Sequence, residues 1–258
     1  MRICKHKKSV KRADLFSGLC KRAGVCILAI SLLASIGCTS LNQNQAAEIE
    51  EKLHAKYGID FTVTAIGDRI GTGSVKAYCS PSDDKSLVFE ARMKNSDSSL
   101  FDTYVPRLIG REVEELIKKQ FAEAGITVEV FAELSGVDYS VFGAKEIKLS
   151  DFLSDYEPTG FTSDIIMESS CAEDTGIGEK LVSIYFGIYE QLNVKFASEI
   201  HLISDDEFEK CCEKLQKSPT LNDTFFMDYS VSNTFLLSCE ENKVSKSEEE
   251  INSIIHVE

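Results

Sequence analysis

Between Thr103 and Gly125, apolar side chains recur every three or four residues: Val105, Leu108, Ile109, Val113, Leu116, Ile117 and Phe121. That spacing gathers them into one stripe on an α-helix, and such a stripe must be buried against another element. Asp102 or Thr103 can cap the helix, Pro106 suits its first turn, and Gly125 ends it. Before it the period changes to two. "DFTVTAI" (60–66) puts Phe61, Val63 and Ala65 on one face, "SVKAYCS" (74–80) does the same for Val75, Ala77 and Cys79, and "LVFEARM" (87–93) follows. "GDRIGTG" and "SPSDDKS" read as the turns between them. Before them, "EIEEKLHAKY" is a short helix pattern ended by Gly58. After the long helix, "ITVEVFAEL" (126–134) is another strand pattern. The order β-β-β-α-β predicts an antiparallel sheet with a helix laid on one face.

The second half is less regular. "GAKEIKLSDFLSDYEPTG" mixes a strand pattern with a turn, and "DIIMESSC" reads as a strand. "GEKLVSIYFGIYEQL" (178–192) reads as a helix with a broad apolar face, and "VKFASEIHLIS" (194–204) as a strand. "DDEFEKCCEKLQ" (205–216) is a short helix with its acids at the positive end. "DTFFMDYSVS" and "TFLLSCEE" read as a hairpin, and the charged tail "ENKVSKSEEEINSIIHVE" as a last helix or loose end. The fold class is therefore α+β, antiparallel sheets packed with amphipathic helices. One unit is expected over 48–135 and a second mixed α/β unit, with the tail, over 136–258. No residue-level repeat relates the halves.

Charge is uneven. The whole chain carries −14, but residues 1–37 hold eight basic residues and one acid, so the remainder has a net charge of −21. A body this acidic gains nothing from counterion release and disfavours nucleic acid as a partner.

The first 22 residues are basic and polar, and "AGVCILAISLLASIG" (23–37) carries no charge. A basic segment followed by an apolar run of this length has the layout of a signal peptide. As a helix the run would reach about 22 Å, short of a hydrocarbon core of about 30 Å. Small residues Ala34, Ser35 and Gly37 then precede Cys38, and "TSLNQNQAAEIEE" turns polar at once. An ordinary signal peptide with Cys38 as a bystander is the other reading.

The stretch from Ala34 to Cys38 resembles the lipobox of bacterial lipoprotein precursors. Ser35 and Ile36 depart from the preferred residues and fit the looser form of that motif. The resemblance implies a signal peptide over 1–37, lipid attachment at Cys38, a flexible tether over 38–47, and a body anchored on the extracytoplasmic face of the cell membrane. Further on, "KYGIDFTVTAIGDR" with "DTYVPRLIGREVE" resembles uncharacterised lipoproteins of Gram-positive bacteria, which implies no activity.

Without the first 38 residues, five cysteines remain: Cys79, Cys171, Cys211, Cys212 and Cys239. They read as small apolar packing residues, with one disulfide among them as the alternative. Cys211 and Cys212 are neighbours on a helix pattern and point about 100° apart.

No catalytic motif is present: no GxSxG, HExxH, Walker loop or EF-hand loop. "GTGS" (71–74) suits a hairpin turn, and "DTGIGEK" (174–180) lacks the glycine spacing of a phosphate loop. His54 and His201 are the body's histidines before the tail, and nothing in the sequence selects a partner for either, such as Cys171 for His201. Asp205, Asp206, Glu207 and Glu209 can ligate calcium through oxygen, but they open a helix pattern and read as its cap. The sequence thus assigns no catalytic, cofactor or metal residue. The expectation is an anchored binding or structural envelope module with an unidentified protein or small-ligand partner. The alternative is an anchored or secreted hydrolase whose site is assembled from distant residues.

Overall fold

Alternation and stripe place most of their residues inside; Ala65 is exposed, because the register of its strand shifts at a bulge between Val63 and Ala65. The computed structural model describes residues 39–67, 73–137, 142, 147–156, 158–222 and 224–256. The expected signal peptide, Cys38, half of the "GTGS" turn and residues 143–146 therefore lie outside the described residues. Residues 47–258 form one compact unit.

The chain runs α1 (Thr39–Tyr57), β1 (Phe61–Ile66), β2 (Ser74–Pro81), β3 (Phe89–Lys94), β4 (Leu100–Asp102), α2 (Tyr104–Glu123), β5 (Val128–Ser135) and α3 (Leu149–Tyr156). It continues through β6 (Gly160–Glu168), α4 (Ile177–Leu192), β7 (Lys195–Ile203), α5 (Asp205–Gln216), β8 (Val231–Glu240), β9 (Lys243–Val244) and α6 (Glu248–Ile255). Short 3₁₀ helices lie at Ser169–Glu173 and Phe225–Asp228. The fold is α+β.

β1 to β4 form an antiparallel meander in sequence order, and β5 to β9 form a second sheet, also in sequence order. β6 and β7 run parallel in that second sheet, and its other pairs are antiparallel. α4 makes the crossover a parallel pair requires.

On α2, Val105, Ile109, Val113, Ile117 and Phe121 are all fully buried, as the stripe demands. Gly125 adopts φ 76° and closes the helix, its N–H bonded to Ala122 O. α2 lies close enough to β5 that a Cβ on Gly110 would stand 2.6 Å from Ala132 O. One apolar core runs from Ile49 and Leu53 of α1 through both sheets to Ile251 and Ile255 of α6.

Three expectations are revised. β5 does not close the first sheet; it pairs with β6 from Val128↔Met167 to Ser135↔Gly160, so the division at 135/136 dissolves into one unit. The stretch 39–47 is helical and not an open tether, since no Gly or Pro interrupts 39–57. "DTFFMDYS" forms a 3₁₀ turn because Phe225 and Tyr229 bury against Phe208, Cys211 and Leu215. The tail is a docked helix: Ser247 and Glu250 form a capping box, and Asn252 Oδ1 accepts Gly178 N–H at 2.9 Å.

Candidate functional site

The second sheet has two unlike faces. Val130, Ala132, Ile165, Phe196, Ile200 and Leu237 point to the main core. The alternate residues face away, and at one end Phe131, Ile166 and Ile203 are covered by α5 and the Phe225–Asp228 turn. Beyond that cover the face is open. There Glu133 of β5, Asp164 of β6, Glu199 and His201 of β7, and Thr234 of β8 line a cavity of about 460 Å³ with Leu221, Asn222 and Phe226. A shallower groove adjoins it, sharing Glu133, Asp164 and Glu199 and adding the exposed Leu236.

Register explains the convergence. Asp164 lies opposite Glu199 in the parallel β6–β7 pair, and His201 lies opposite Thr234 in the β7–β8 pair. His201, 5% exposed, sits 3.1 Å from Asp164 Oδ1 through Nε2 and 3.2 Å from Thr234 Oγ1 through Nδ1. Phe226 stacks on the imidazole with centroids 3.8 Å apart. One ligand atom each from Asp164, Glu199 and His201 lie within 4.8 Å of one another, so these side chains can hold a cation together.

Electrostatics at the rim follow from neighbours. Partial desolvation, then the Asp164 charge, raises the Glu133 carboxyl above its ordinary range, and Arg107 opposes them. Arg107 itself is held by Glu114 at 2.7 Å and lies over the Phe131 ring at 4.6 Å. Glu114 also accepts Ala132 N–H at 2.9 Å, which satisfies one donor on the outer edge of β5. Among the described residues, no lysine or arginine forms an ion pair with Asp164 or Glu199.

The other candidates have local roles. His54 is exposed and pairs with Asp60 at 3.0 Å. Cys171 lies in the Ser169–Glu173 turn, where Glu168, Asp174 and Asp205 surround it, away from the partners of His201. Asp205, Asp206 and Glu207 open α5, as read from the sequence, and take hydrogen bonds from Ser169 and Ser170, Ser204, and Ser230 respectively. In "DTGIGEK" the Asp174 carboxylate already holds Gly176 N–H and Lys180, leaving no phosphate cradle. All five body cysteines are free thiols. Among the described residues no helix is long and apolar enough to cross a membrane.

Sequence reading missed the Asp164–Glu199–His201 group. The one local signal was the pair of polar residues, Glu199 and His201, two apart within a strand pattern and thus on one face.

No family model matches the chain, and no curated protein does. The solved structure of a DUF5037 family protein from Ruminococcus gnavus ATCC 29149 is similar in fold, with a TM-score of 0.63 at 16% identity. The match covers 83% of this chain and 99% of that one.

Proposed function

We propose that the chain is a lipid-anchored, extracytoplasmic envelope module that binds a cationic ligand on the open face of its second sheet. The anchor reading is supported by the basic and apolar N-terminal segments and by the lipobox-like approach to Cys38. The binding reading rests on one observation: Glu133, Asp164 and Glu199 converge on a cavity with no lysine or arginine among the described residues of its lining. Carboxylates arranged this way favour a positively charged or hydrogen-bond-donating guest.

Radiolabelled palmitate tests the anchor. Label is expected in the wild type and absent from Cys38→Ala, and equal labelling would refute it. Titration of the detergent-solubilised chain with spermidine, a probe for cationic ligands, tests the cavity. Amide resonances of β6 and β7 are expected to shift in the wild type and not in Glu133→Gln/Glu199→Gln.

A hydrolase reading is favoured by a different feature of the same cavity. His201 stands between the Asp164 carboxylate and the exposed Thr234 hydroxyl, the order of orienting acid, base and nucleophile. Turnover of a p-nitrophenyl ester that is lost in Thr234→Val would support it; no turnover would set it aside.

A further inference from the structure

We propose that Asp164, Glu199 and His201 form a site for one divalent transition-metal ion of borderline softness, with zinc as the type case. The inference rests on the reading above only for the place of the site, not for the anchor. The group is not an acidic patch alone, since a buried imidazole completes it.

Geometry carries the proposal. An ion bonded at roughly 2.0–2.2 Å to each ligand keeps those ligands within about 4.4 Å of one another. The three ligand atoms already lie within 4.8 Å, so reaching the roughly 3.4 Å separation of a tetrahedral shell takes side-chain rotation of up to about 1.4 Å. Strands supply all three residues, which fixes their Cα positions through the β6–β7 ladder. His201 is held in orientation on two sides, by Thr234 at Nδ1 and by the Phe226 ring. With Nδ1–H donated to Thr234, the Nε2 lone pair faces Asp164 and the cavity, the arrangement that outer partners impose on metal-bound histidines. Binding places the ion between Nε2 and Asp164 Oδ1, which stand 3.1 Å apart; any proton shared there leaves to solvent, and no redox change occurs.

Chemistry selects the metal class. Two carboxylates and one imidazole balance a dication, suit zinc or manganese, and lack the thiolates that favour copper(I). Calcium and magnesium prefer all-oxygen shells. Three protein ligands leave at least one position facing the 460 Å³ cavity, as in zinc sites that engage a water or a substrate.

The test uses the purified full chain in detergent, stripped with EDTA. Calorimetric titration with zinc is expected to show one equivalent bound, with affinity reduced at least tenfold in both Glu199→Gln and His201→Gln. Glu199 is exposed, so its variant keeps the fold if His201→Gln does not. Cobalt(II) is expected to give d–d absorption without a sulfur-to-metal charge-transfer band. No zinc binding, undiminished affinity in Glu199→Gln, or a sulfur band marking ligation by cysteine would each overturn the site. Absent zinc binding with a persisting spermidine response would remove the metal and leave the cationic-ligand reading standing.

Discussion

Lys56 Nζ lies 2.8 Å from Oδ2 of Asp102, whose side chain is 1% exposed. The other oxygen accepts Tyr57 OH at 2.6 Å and the Tyr104 N–H at 3.2 Å. A buried carboxylate is tolerable only with this many donors, and removing it strands them. Asp102→Ala is expected to lower unfolding free energy by about 3 kcal/mol, the low end for a broken buried pair, because Lys56 is one-third exposed. Urea denaturation measures it. Burial and the Asp102 bond also raise the Tyr57 phenol, so its ionisation in an ultraviolet titration is expected only with unfolding.

The contact between α2 and β5 predicts a second loss. A methyl on Gly110 would meet Ala132 O at 2.6 Å, a backbone atom that cannot rotate away. Gly110→Ala should destabilise by about 1–3 kcal/mol despite alanine's better helix propensity. Thermal unfolding that instead shows a higher midpoint would mean the helix has room to lift.

Acid should weaken one loop. Asp84 is held below the ordinary carboxylate range by the Ser86 hydroxyl and by Arg111 at 2.6 Å. A lowered folded pKa gives stability that is present above the unfolded value, near 4, and lost as pH falls through the folded one. Asp84→Asn should therefore be less stable than wild type at pH 7, by under about 1 kcal/mol because the pair is exposed, and equal to it at pH 2. Guanidinium midpoints at the two pH values check the sign.

Burial also governs the thiols. It raises Cys211 to about 11 and Cys79 to about 12, so the nucleophilic thiolate is scarce at neutral pH. N-ethylmaleimide at pH 7.5, read by peptide mass spectrometry, should leave Cys79, Cys211 and Cys239 unmodified in the native chain. All three should react once urea unfolds it.

What was legible in the sequence had a local period. Val105, Ile109, Val113, Ile117 and Phe121 announced α2 and its buried side, and Val75, Ala77 and Cys79 announced β2. The partner of β5 was not legible, because Val128 to Leu134 alternate equally well for either sheet. Phe225 and Tyr229 read as strand residues, yet their four-residue spacing serves the 3₁₀ turn that covers Ile166 and Ile203. Asp164 and His201 meet through pairing of strands about 35 positions apart, a register that no short-range spacing encodes.

That parallel pairing has a kinetic consequence. Gly160 cannot find Lys195 until the intervening chain has closed a long loop with α4 in place, whereas β1 to β4 can zip through short turns. The meander should gain hydrogen-exchange protection first, and the cavity last. A nascent chain would then present its acidic face only after the rest of the body had folded.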